Sequence, residues 1–120
     1  EGHSALWIGS LGVLVAGDML SDIELPLPDD TPNGLITYRA GLEALAPYAS
    51  IARFVIPGHG SVTADGGARL AADRAYLDDL AARMRMSRSW VLNTIVHEYA
   101  QFIERKNLTP LESRETVIRL

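Results

Sequence analysis

Three residues in this chain have the types and positions to do metal chemistry. They are His3, ahead of a first apolar segment, Asp18, directly after a second, and His59, between two glycines after a third. Segments of that kind read as strands, and strand ends on one edge of a sheet converge in space. Two imidazoles and a carboxylate are borderline-hard nitrogen and oxygen donors that suit Zn²⁺, Fe or Mn. The chain has no cysteine, so thiolate ligation and disulfides are both excluded, and any metal must be held by His and carboxylate. There are only three histidines; the third, His97, reads as a helix-surface residue.

The elements that must position these residues can be read from apolar spacing. Ala5 to Ile8 and Leu11 to Ala16 are apolar runs separated by Gly9-Ser10 and closed by Gly17-Asp18, the pattern of a β-hairpin between central strands. Leu11 to Ala16 lacks polar alternation, which predicts a strand covered on both faces. Residues Ile23 to Gly34 hold three prolines and three acids and read as a loop beside Asp18. Leu35, Tyr38, Leu42 and Leu45 recur at helical spacing, with Pro47 expected to end that helix.

Arg53 to Ile56 forms a short strand running into Pro57-Gly58-His59-Gly60. After Asp65-Gly66-Gly67 a long helix is expected, with Leu70, Leu77, Leu80 and Met84 on one face and Asp73, Arg74, Asp78 and Asp79 on the other. Ser87 can cap a further helix with the stripe Val91, Ile95, Tyr99, Phe102 and Ile103, making a helical hairpin. Thr109-Pro110-Leu111-Glu112 has the cap, proline and acid of another helix start, and Thr116 to Leu120 is β-prone.

Length and composition bound the rest. With 120 residues, 48% apolar and 22% charged, the chain has material for one ordinary domain. No long uncharged apolar run reads as a membrane span, and a soluble, cytoplasmic protein is expected. The opening Glu-Gly-His, without a Met or a signal-like start, suggests a cropped or processed chain. Residues 1 to 60 carry two basic against seven acidic side chains, and residues 61 to 120 nine against eight, which sum to the net −4. An acidic first half is unsuited to a phosphate backbone, and only residues 83–88 are locally basic.

Gly2-His3-Ser4, the hairpin ending in Ala16-Gly17-Asp18, the helix with Tyr38 and Leu42, and Val55-Ile-Pro-Gly-His-Gly60 followed by the helix with Arg74-Ala-Tyr-Leu-Asp-Asp-Leu80 together resemble the C-terminal half of metallo-β-lactamase-fold hydrolases. The resemblance covers residues 1–84. It implies an α/β fold, half of an αββα sandwich made of a short sheet plus helices, with residues 85–120 as a helical extension. It also implies that His3 binds one metal, Asp18 bridges two and His59 binds the second, in a binuclear centre of Zn²⁺, Fe or Mn acting on a small-molecule substrate through metal-activated water.

The family's His-x-His-x-Asp-His motif, which lies in its N-terminal half, has no counterpart here. The resemblance therefore implies half a site, inactive until completed, and a sheet face to be covered by a second copy or a complementary N-terminal half. A degenerate half-fold serving as an assembly surface is the bland alternative.

Residues 69–105, around Met86-Ser-Arg-Ser-Trp-Val-Leu-Asn93, resemble ribbon-helix-helix repressors and antitoxins. That resemblance implies a dimeric DNA-binding module with Arg85, Ser87 and Arg88 at the phosphates. The ribbon strand that should precede the first helix lacks basic readout residues here, and the competing reading is a hairpin that packs on the sheet or dimerises.

Overall fold

A computed structural model of the chain describes residues 3–84, 97, 100 and 115–120. It contains β1 (Ser4–Ile8), β2 (Val13–Gly17), α1 (Gly34–Ile51), β3 (Phe54–Pro57), α2 (Gly66–Arg83) and β4 (Glu115–Arg119). The strands form one mixed sheet in the order β3-β2-β1-β4. β1 runs antiparallel to both β2 and β4, whereas β2 and β3 are parallel and joined through α1. The fold is a small mixed α/β unit with β1 and β2 in the centre of the sheet, as their apolar composition predicts.

The hairpin turn is wider than the Gly9-Ser10 pair. Leu11 N–H donates to the Ile8 carbonyl and Gly12 N–H to that of Gly9, so β2 begins only at Val13. Gly12 sits at φ +65°, a left-handed angle that costs glycine little, and Leu11 is exposed. The apolar run was too long for the strand it contains because its first two residues are turn.

α1 does not stop at Pro47. It continues to Ile51, with Pro47 inside, even though proline removes a backbone donor and crowds the preceding turn. The turn beyond it is anchored by packing: Tyr48 and Ala49 are buried, and the Tyr48 ring lies 5.6 Å from that of Trp7. α2 starts at Gly66, where the Asp65 side chain accepts the Ala68 N–H at 2.9 Å as an N-cap.

One core joins the sheet to both helices. Ala5, Trp7, Leu14, Ala16, Val55 and Ile118 face Leu35, Leu42, Leu45, Leu70 and Leu77. Two ion pairs bind the helices to each other: Arg39 with Asp78, and Arg74 with Glu43 in a fork of 2.7 and 2.5 Å. The buried stripe of α2 is Leu70, Asp73, Leu77 and Ala81. Asp73, expected on the solvent face, is therefore inside, and Met84, expected on the packed face, is exposed. The helix is rotated toward the loop after β2, whose Leu20 backbone meets Asp73.

The second face of the sheet is not covered as the apolar run predicts. Register places Val117, Leu6, Val15 and Ile56 in one row across it and Ile8, Val13 and Phe54 in the next. Phe54, Ile56 and Val117 are exposed, and the others are half-buried. No element among the described residues lies across this face.

Within the stretch set apart by the sequence as 85–120, Glu115–Arg119 is a strand of the same sheet, and His97 and Ala100 are helical. The remainder of the expected helical hairpin, with Arg85, Ser87 and Arg88, lies outside the described residues. No described helix is long and apolar enough to cross a membrane.

Candidate functional site

The topology brings the three predicted ligands to one edge of the sheet. β1 is antiparallel to β2, so His3 at its start lies beside Asp18 at the end of β2. β3 is parallel to β2, so His59 leaves the sheet on the same edge. Between the Val15–Ile56 and Gly17–Pro57 pairs, β2 carries an extra residue, Ala16, and this irregularity shifts the strand just before Asp18.

His3 Nδ1 lies 3.5 Å from Asp18 Oδ2, with both side chains substantially exposed. His59 shares the edge, but its Nδ1 faces Glu24 Oε1 at 4.0 Å. Among the described residues no group of three His, Asp or Glu side chains is arranged to hold a metal ion. The donor types fit a metal, with His3 and Asp18 already adjacent; His59 is placed at the edge rather than on that pair.

The loops after β2 and β3 are tied to each other. Gly58 N–H donates to the Gly17 carbonyl at 2.6 Å, and Ser21 Oγ–H to the His59 carbonyl at 2.8 Å. Ser61 N–H donates to Asp22 Oδ1 at 2.8 Å. That bond holds the Asp22 carboxyl below its ordinary pKa, with help from the charge of Arg69. Ser21 Oγ also accepts the N–H groups of Ile23 and Glu24, which starts the acidic loop. Gly60 makes the approach possible: its φ is +105°, and a Cβ there would lie 2.3 Å from Asp22 Oδ1.

Behind these loops stand two titratable groups that spacing did not single out. Burial pushes the Asp73 carboxyl up to about 6, opposed by the Leu20 backbone N–H and by Arg69. Burial also raises the Tyr38 phenol to about 12, reinforced by the negative charges of Asp73 and Asp18. Tyr38 thus keeps its proton at neutral pH. It lines a cavity of about 210 Å³ with His3, Met19, Leu27, Asp29 and Thr37, so the cavity opens beside His3.

Sequence reasoning expected His3, Asp18 and His59 at strand ends, which the topology brings to one edge, and did not anticipate the contacts of Ser21, Asp22, Arg69 and Asp73. Ser21-Asp22 is a recognisable turn pair. Arg69 and Asp73, one helical turn apart, carried no signal, because most of their partners lie in the distant loop after β2 and several are backbone groups. No protein-family model, curated protein or solved structure matches the chain.

Proposed function

We propose that this chain is the C-terminal portion of a metal-dependent hydrolase of the metallo-β-lactamase fold, with His3, Asp18 and His59 as its share of the ligands. The observation that carries the reading is the meeting of these residues at one sheet edge, with His3 3.5 Å from Asp18. The open apolar face supports the same reading: it is the surface on which the second sheet of an αββα sandwich, supplied by an N-terminal half, would pack.

Zn²⁺, Fe or Mn at this edge would supply Lewis acidity and a water activated near neutral pH. The chain's own residues would supply the rest. Asp18 contributes a carboxylate able to bridge two cations, and His3 and His59 contribute neutral donors that leave the cations' charge largely intact. The cavity beside His3 offers a small-molecule substrate an apolar wall of Met19 and Leu27, with the protonated Tyr38 hydroxyl as a donor.

The test is metal content of the chain assembled with its N-terminal half, measured by inductively coupled plasma mass spectrometry. Stoichiometric metal, reduced by His59→Ala, is expected. Equal metal in the variant and the parent would remove the assignment.

A further inference from the structure

Beside Ser21 and Asp22, a third side chain joins the two candidate ligand loops, and it comes from neither of them. Arg69, on the first turn of α2, donates through Nη1 to the Leu20 carbonyl at 2.8 Å and through Nη2 to the Ser61 carbonyl at 3.0 Å. Nη2 also lies 3.4 Å from Asp22 Oδ2. The Arg69 side chain is only 14% exposed; its bond to Leu20 is part-buried, and those to Ser61 and Asp22 lie at the surface. Leu20 is two residues beyond Asp18, and Ser61 is two residues beyond His59.

The grip falls on strained backbone. Leu20 is fully buried and has φ +60°, the only positive φ among the described non-glycine residues. That left-handed conformation is unfavourable for a leucine and persists where the surroundings impose it. Arg69 imposes it on the carbonyl side, and Asp73, one turn further along α2, meets the Leu20 N–H. Lysine could not replace this arrangement, because one ammonium has no planar fork to reach two carbonyls and a carboxylate on different loops.

We infer that Arg69 is a positioning residue that fixes Asp18 and His59 at one sheet edge by locking the loops after β2 and β3 into one unit. This rests on the reading of Asp18 and His59 as metal ligands. The loop-locking part stands on geometry alone and can be tested separately.

The test compares Arg69→Ala and Arg69→Lys with Arg74→Ala, which removes an ion pair from the same helix away from the site. Folding of each variant is checked by circular dichroism. Zn²⁺ affinity is measured by competition with a chromophoric chelator, in the chain assembled with its N-terminal half. Backbone amide exchange is followed at Ser61, Ile23 and Glu24.

Arg69→Ala is expected to weaken Zn²⁺ binding at least about tenfold, with Arg69→Lys intermediate and Arg74→Ala like the parent, a pattern that general destabilisation would not produce. The three amides should exchange faster in Arg69→Ala and at the parental rate in Arg74→Ala. Unchanged exchange in Arg69→Ala, or an equal loss of affinity in Arg74→Ala, overturns the inference. A parent that takes up no Zn²⁺ overturns the metal reading instead, and the exchange data still decide whether Arg69 locks the loops.

Discussion

The two faces of the sheet are built from alternate residues of the same strands, with nearly the same apolar composition, and they meet different fates. Trp7, Leu14, Val55 and Ile118 are sealed beneath α1 and α2, whereas Leu6, Val15, Ile56 and Val117 form a half-buried to exposed row with no described element across it. Composition alone does not distinguish the two sets; a strand of small apolar residues suits either face. The helices decide, because their apolar stripes, and the ion pairs of Arg39 with Asp78 and Arg74 with Glu43, commit both to one side. An apolar row of this kind is costly to leave in water and marks a surface built to be covered.

The sharpest way to break the comparison is to truncate one residue on each face. Leu14→Ala empties a fully buried position and should cost about 3–4 kcal/mol in denaturant unfolding. Val15→Ala, its neighbour on the open face, should cost less than about 1 kcal/mol. Similar losses would mean that the open face is packed as tightly as the covered one.

A second test uses Asp73, the one buried carboxylate among the described residues. The Asp73 pKa is raised from 3.8 to about 6, so between these values the folded chain holds more protons than the unfolded one. Stability contributed by this group is therefore highest below pH 4, falls as pH rises to about 6, and stays low above. Asp73→Asn keeps an acceptor for the Leu20 N–H without the charge. It should exceed the parent by about 1–3 kcal/mol at pH 7 and approach it near pH 4. A difference that does not change with pH would refute the burial-driven shift.

The smallest effect on stability belongs to the exposed row. Ile56→Thr with Val117→Thr should change unfolding free energy by within about 0.5 kcal/mol each. The same pair should reduce association with a covering chain or with a second copy, measured by sedimentation velocity. Unaltered association would show that the row is not the surface used.

Much of the architecture was legible in the sequence because it rests on local periodicity. Leu35, Leu42 and Leu45 announce α1, and the apolar positions Leu70 and Leu77 announce α2, which begins at Gly66, inside the Asp65-Gly66-Gly67 turn after which it was expected. The continuation of α1 past Pro47 was not legible, since it depends on Tyr48 finding Trp7, a residue of another element. At the candidate site, the gathering of His3, Asp18 and His59 on one edge was legible because each lies at the end of an apolar strand. Arg69 and Asp73 look like ordinary helix-surface charges until α2 meets the loop after β2. Their roles arise from backbone groups, which carry no sequence label.

The pairing of β4 with β1 has a consequence for how this fold is reached. Ala5 pairs with Ile118, so the contact closes a span of more than a hundred residues, while β2, α1 and β3 pack through connections far shorter. Closing such a span costs about 4 kcal/mol of chain entropy on the (3/2)RT ln n scaling, repaid only when the whole strand zips. Contacts so distant in sequence slow folding. Until β4 docks, β1 is an edge with unpaired N–H and C=O groups above an apolar face, a template for strands of other molecules. Arrival of β4 ends that exposure, and the speed of this one closure governs how readily the chain folds rather than aggregates.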